Sequence, residues 1–292
     1  MKHNLFLGVM FALISTFFYS AQAAFIKAYA MDVPLSIIIF TQCLVGLILF
    51  LPMLFHQRWT KTKSVITTQK IPLHVLRALL SVGIAYCLFA SVRYIPFVNA
   101  MLLANVAPLI IPFIAAVFLK QEINHKQWVP ILIGFVGIAL VLQPNSHIFH
   151  RAAFLALGAS FMAAAAMVTV RKLSLTDSGE TVAFYFFLFA TLILAMPALK
   201  EWAYFPWSIW KILIIAGVLY ALSQYFIVYS LRFANPQVVG SLLYMNIIYS
   251  VIISALAWHV LPNVGVCCGI ILTMVGGILC IRAEHKFYKN LK

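Results

Sequence analysis

Residues Phe97 to Leu119 read FVNAMLLANVAPLIIPFIAAVFL, 23 positions without one charged side chain. A helix rises about 1.5 Å per residue and the hydrocarbon core of a bilayer is about 30 Å thick, so about 20 apolar residues cross it. The run is too long for a strand and too apolar for a helix that keeps one face in water. It reads as a transmembrane helix.

The pattern recurs on both sides of this stretch. Apolar runs lie at 4–27, 35–55, 73–92, 97–119, 127–143, 152–170, 181–199, 209–231, 237–260 and 264–282. Short breaks separate them, among them Asp32-Val33-Pro34, the basic stretch Arg58 to Lys70, Ile95-Pro96, Lys120 to Lys126 and Leu261-Pro262-Asn263. Of the 292 residues, 64% are apolar and 9% charged, and the mean hydropathy is +1.04. A soluble domain carries about 25% charged residues, so a soluble enzyme is excluded. The expected fold is an all-α polytopic membrane protein of ten helices. Segment 5–26 is too long for a signal-peptide core and no small-residue cleavage site follows it, so it counts as the first span.

Lysine and arginine together number 20 against 6 acids. No basic patch with interleaved aromatics stands outside the apolar runs, so the excess is read as topology rather than as nucleic-acid binding. With the first end inside, only Lys27, Arg93, Arg151, Lys200 and Lys211 fall outside, while Arg58, Lys61, Lys63, Lys70 and most others fall inside. Basic residues collect in cytoplasmic loops, so both termini are expected in the cytoplasm, with the chain in the inner membrane. The five cysteines (Cys43, Cys87, Cys267, Cys268, Cys280) sit in apolar runs without a CxxC or a nearby histidine set. They are expected to be buried small hydrophobes, with no disulfide, metal or other cofactor.

The chain also repeats itself. A shift of 139 residues lays Tyr86 on Tyr225, Ser91 on Ser230, Arg93 on Arg232, Asn105 on Tyr244 and Val136-Gly137 on Val275-Gly276. A shift of 144 lays Ala12-Leu13 on Ala156-Leu157, Phe17 on Phe161 and Lys27 on Arg171. Two halves are expected, 1–144 and 145–292, within one membrane domain. Five spans per half is an odd number, so the second copy would insert inverted, an architecture of transporters with the substrate site between the halves.

These residues carry a resemblance. Leu76-Arg77-Ala78-Leu79-Leu80, Tyr94-Ile95-Pro96, Ala107-Pro108 and Lys120-Gln121-Glu122 resemble the first repeat of the drug/metabolite transporter superfamily. Trp128 and Gly134-Phe135-Val136-Gly137-Ile138, up to Leu142-Gln143-Pro144, are similar to that repeat's fifth helix, and Tyr244 with Leu261-Pro262 to its second copy. The resemblance covers nearly the whole chain and implies a ten-helix EamA-type carrier. Arg77 and the tyrosine-bearing ninth span also resemble S-adenosylmethionine uptake carriers. Members often place a glutamate near the position of Val260, and this chain has none.

All six acids (Asp32, Glu122, Asp177, Glu180, Glu201, Glu284) fall at span ends or in breaks. His259 is then the one titrating side chain that could lie inside the membrane, and it reads first as an interfacial histidine beside Trp258, so facilitated diffusion or exchange is favoured over proton coupling. Polar residues within the spans are the substrate candidates: Tyr19, Gln22, Tyr86, Asn105, Gln224, Tyr225, Tyr244 and Asn246. A mostly apolar and aromatic wall with a few orienting polar groups is what a ligand pocket requires, although the same residues serve as ordinary glue between membrane helices. Truncating Tyr244 or Asn105 is expected to weaken binding and leave stability unchanged. Arg77, about one turn inside its span, reads either as a snorkelling cation or as a gate or anion contact. Pro108 and Pro112 should kink the fourth span. Gly134, Gly137, Gly269, Gly276 and Gly277 suit close helix packing within a half, or a homodimer face.

No GxSxG, P-loop or HExxH stretch occurs, so an intramembrane enzyme lacks its cluster. The expected function is transport of a small polar or amphipathic metabolite such as an amino acid, a nucleoside or S-adenosylmethionine, with a multidrug or metabolite exporter as the alternative. The partners are that substrate and the lipid bilayer.

Overall fold

The computed structural model describes residues 5–29, 33–59, 68–92, 94–95, 97–120, 125–143, 151–259 and 263–290. Asp32, Arg93, Pro96, Glu122, Pro144 and Leu261-Pro262, which marked breaks in the sequence, lie outside them, as does Val260. Backbone groups in hydrocarbon must find partners within their own segment, and for single apolar runs that means helix. The helices are α1 (Leu5–Tyr29), α2 (Leu35–Trp59), α3 (Ile71–Val92), α4 (Phe97–Ala104), α5 (Ala107–Leu119), α6 (Trp128–Leu142), α7 (Ala153–Ser174), α8 (Gly179–Lys200), α9 (Trp207–Phe233), α10 (Pro236–Leu242), α11 (Met245–Trp258) and α12 (Val264–Asn290). They supply ten segments long and apolar enough to cross a membrane, α4–α5 and α10–α11 each forming one. No strand occurs among the described residues. The outer surface carries Phe113, Val117, Phe118, Leu192, Met196, Leu256 and Ile271, all exposed, which is the surface a lipid solvent selects.

Successive spans alternate in direction. The start of α1 therefore defines a near end that also holds the α2–α3, α5–α6, α7–α8 and α9–α10 connections. The remaining connections define the far end.

Two spans are discontinuous rather than merely kinked. In the fourth, Pro108 has no N–H to give the carbonyl of Ala104 and its ring crowds that carbonyl. The helix opens at Asn105-Val106 and restarts with Pro108 in its first turn. Pro112 is tolerated inside α5. The ninth span opens at Leu243-Tyr244, where no proline stands, and Ile247 N–H turns back to the Tyr244 carbonyl at 3.1 Å. Asn105 and Tyr244 are the pair matched by the 139-residue shift. The same shift relates Lys120 and His259, left-handed residues (φ 51° and 54°) that terminate α5 and α11.

Packing follows a permuted order. α1 lies on α9 as α7 lies on α3, and α2 on α9 as α8 on α3, while α2 meets α8, α5 meets α10 and α6 meets α12. Each of these contacts joins the first half to the second. The glycines show how close the approach is. A Cβ on Gly137 would stand 2.5 Å from Thr273 Oγ1 and 2.7 Å from the Gly269 carbonyl, and one on Gly276 would stand 2.6 Å from Gly134 N. The glycines therefore seal α6 to α12 across the halves, not within one. Cys43 and Cys280 are buried as expected, but Cys267 and Cys268 on α12 are exposed.

Candidate substrate site

Arg77 on α3 is 2% exposed and does not snorkel. Its guanidinium turns into the bundle, where Nη1 donates to the Val182 carbonyl of α8 at 2.8 Å. Nη2 donates to Oε1 of Gln224 on α9 at 3.2 Å. The guanidinium carbon stands 4.5 Å over the Phe186 ring, a cation–π placement. Gln224 also hydrogen-bonds the Tyr220 side chain, which lies in the electrostatic reach of Tyr19 on α1 and Cys43 on α2. Among the described residues Arg77 has no acid within ion-pair distance; the close contact of a basic side chain with a carboxylate is His74–Asp177. A buried cation held by neutral acceptors alone has given up water without gaining an opposite charge.

One turn nearer the near end, a second polar group closes the bundle. His74 is fully buried, its Nε2 is 2.9 Å from Asp177 Oδ2, and its ring lies 4.9 Å from that of Tyr185. Thr68 Oγ1 donates to the same carboxylate oxygen at 2.7 Å, while His74 Nδ1 has no partner. Beside it Tyr229 donates to Glu180 Oε1 at 2.5 Å, and Tyr225 lies 3.5 Å from the same oxygen. Arg171, buried in the last turn of α7, donates to the carbonyls of Leu231 and Arg232. The sequence reading placed Arg171 in a break; α7 instead runs through it to Ser174.

His74 is the residue that sequence reasoning missed. Its signal was a histidine three positions before Arg77, on one helical face of an otherwise apolar span. His259 is the exposed left-handed residue that ends α11, just beyond the apolar segment Pro236–Ala257, the position of an interfacial residue. Among the described residues Asp177, Glu180 and Glu201 sit at helix ends, as expected, but Asp177 and Glu180 turn inward to His74 and to Tyr229.

The remaining candidates separate into three places. Tyr19, though in the middle of α1, is 43% exposed. Tyr220 and Gln224 are partly exposed, and Tyr220 lies within electrostatic reach of both Tyr19 and Arg77. Gln22 is buried on α1. Asn246 accepts a hydrogen bond from Ser20 of α1 through its side-chain oxygen, and Tyr225 packs on Phe50 of α2. Tyr86 is exposed and feels Glu201 at the far end, where Ser36 donates to that carboxylate. Asn105 spends its amide on Met101 O of its own helix at 2.7 Å. Tyr244 is 1% exposed and packed between Leu102, Ile138 and Ile247, with its hydroxyl unpartnered. Truncating a side chain so enclosed leaves a void, so its removal cannot leave stability unchanged.

A family model described as the EamA-like transporter family matches residues 6–143 and again 150–282. The chain belongs to that family. It is a multi-pass membrane transporter and not an enzyme, and the broken fourth and ninth spans lie one in each EamA-like match. Curated relatives share about a quarter of their residues with it. A pseudopaline exporter of Pseudomonas aeruginosa is 26% identical over 94% of both chains. A riboflavin transporter of Vibrio cholerae is 28% identical over 80% of this chain and 76% of its own. An S-adenosylmethionine uptake transporter of Rickettsia felis is 20% identical over 82% of this chain and 80% of its own. A solved crystal structure shares the EamA-like fold with a TM-score of 0.78 at 16% identity, covering 93% of this chain and 95% of the other.

Proposed function

We propose that the protein is an inner-membrane secondary transporter that moves a small polar or amphipathic metabolite by alternating access between two inverted five-span halves, 1–144 and 145–292. The observation that carries this reading is the cross-half polar cluster of Arg77, Gln224, Tyr220 and Tyr19, set just inside an end that is tied shut. At the near end, His74–Asp177 and the Arg77 bonds join the halves. Toward the far end, residues 81 to 88 of α3 include none that is buried, whereas His74, Arg77 and Ala78 of its first turns are. A bundle closed at one end and open beside the other is one state of an alternating-access cycle. Its broken helices stand at matched positions of the two halves, as discontinuous helices do in carriers of this design.

With both termini cytoplasmic, this state is closed inside and open outside. Exposed tyrosine faces beside the cluster suit a planar or cationic group, and the amides of Gln22, Gln224 and Asn246 suit polar edges. The expectation of uncoupled movement rested on a lack of buried titrating groups, and the His74–Asp177 pair removes that ground.

The test is counterflow in proteoliposomes with labelled S-adenosylmethionine, riboflavin and a panel of amino acids and nucleosides. Saturable exchange of at least one is expected; flux that grows linearly with concentration would make the protein a pore. Orientation is tested on a cysteine-free background. Cysteine at position 146 should be labelled from outside and cysteine at position 64 spared, both lying outside the described residues. Metabolite export is a second reading, supported by the likeness to the pseudopaline exporter over 94% of both chains. It differs in direction and substrate, not in the site.

A further inference from the structure

Arg77 is the one buried guanidinium of the cluster, and its surroundings are unusual for what they supply. Val182 offers a backbone carbonyl at 2.8 Å, Gln224 an amide oxygen at 3.2 Å, and Phe186 a ring face. No carboxylate among the described residues pairs with it. His74 and Asp177, one turn away, satisfy each other. Arg77 is therefore a buried positive charge with no carboxylate in contact with it among the described residues, which a hydrocarbon surround makes costly unless it has a use.

The two bonds are not equivalent. The Val182 contact is short and fixed to a helix backbone, so it holds the guanidinium in place. The Gln224 contact is long and made to a neutral side-chain oxygen, on the side of Tyr220 and Tyr19, which are both at least partly exposed. A carboxylate arriving from that side would replace the amide oxygen with a charged acceptor, and charge-assisted bonds of this kind are about twice as strong as neutral ones. The forked guanidinium also matches a carboxylate geometrically, as a lysine would not.

We propose that Arg77 is the anion subsite of the carrier, so that the transported metabolite bears a carboxylate which displaces Gln224 from Nη2. The inference rests on the carrier reading above and narrows its substrate class. Displacement also has a mechanical consequence. The Arg77–Gln224 bond joins α3 of the first half to α9 of the second, so substrate binding severs a tie between the halves while the Val182 anchor stays.

The experiment compares S-adenosylmethionine with its carboxyl methyl ester, using wild-type protein and Gln224→Glu in lipid nanodiscs, with riboflavin as a carboxylate-free reference. Wild type should bind the acid about tenfold or more tighter than the ester, the scale of one charged hydrogen bond. Gln224→Glu keeps the size of the side chain and gives Arg77 a resident carboxylate. The preference for the acid should fall to about unity, with no loss of thermal stability. Equal binding of acid and ester by wild type, or a preference that survives Gln224→Glu, would overturn the subsite and leave the carrier reading standing. If the acid, the ester and riboflavin all fail to bind and no amino acid or nucleoside of the counterflow panel is exchanged either, the subsite and the carrier reading fall together.

Discussion

Alanine at Gly137 tests the seam on which the two halves close. The new Cβ would meet Thr273 Oγ1 at 2.5 Å, Thr273 N at 2.6 Å and the Gly269 carbonyl oxygen at 2.7 Å. Ordinary contact is about 3.5–4.0 Å, so α12 must retreat by roughly 1 Å at this point. Two of the three atoms are backbone and cannot rotate aside. Rolling the helix gives no relief, because Gly276 is pressed as closely on Gly134 and Pro130 in the same seam. Overpacking of this kind costs about 1–3 kcal/mol, and the better helix propensity of alanine offsets only about 0.5–1 kcal/mol. Gly158 is the control: nothing lies within 4 Å of a Cβ there, so alanine should gain the propensity and lose nothing. Thermal unfolding of the detergent-solubilised protein, followed by tryptophan fluorescence, should place Gly137→Ala several degrees below wild type and Gly158→Ala at or above it. An unchanged midpoint for Gly137→Ala, or the reverse order, would refute the argument that backbone contact across α6 and α12 sets their distance.

Three further outcomes are expected by the same assay. His74→Ala leaves the Asp177 carboxylate with Thr68 as its remaining hydrogen-bond donor and should cost about 1.5–3 kcal/mol, whereas His74→Leu with Asp177→Leu should recover much of it; equal losses in single and double variants would mean that the pair carries no coupling. Tyr244→Phe removes a buried hydroxyl without a partner and should be neutral or stabilising, while Tyr244→Ala should cost about 3 kcal/mol or more through the void it leaves; the two variants behaving alike would contradict this enclosure. Arg171→Gln loses charged donors to the carbonyls that end α9 and should destabilise by about 1.5–3 kcal/mol, an effect absent if those bonds do not form in the membrane.

How much of this was legible in the sequence follows from the solvent. Hydrocarbon forbids open backbone groups, so a charge-free stretch such as Phe97–Leu119 has one available structure, and the spans, their number and their alternation could be read directly. The break at Asn105 was half legible, because Pro108 announces an interruption one turn before itself. The break at Tyr244 was not, since no proline stands in that turn and only its match to Asn105 pointed there. The sequence also supplied the candidate polar residues without saying which of them meet. His74 and Asp177 lie 103 residues apart, and Arg77 and Gln224 lie 147 apart. In water, the apolar stripe of a helix would have shown which face turns inward. In lipid nearly every face is apolar, so the pattern carries no such direction. Which helix meets which was left to glycines that admit close approach and to a few polar side chains that must find one another, and only the tertiary structure decides those pairings.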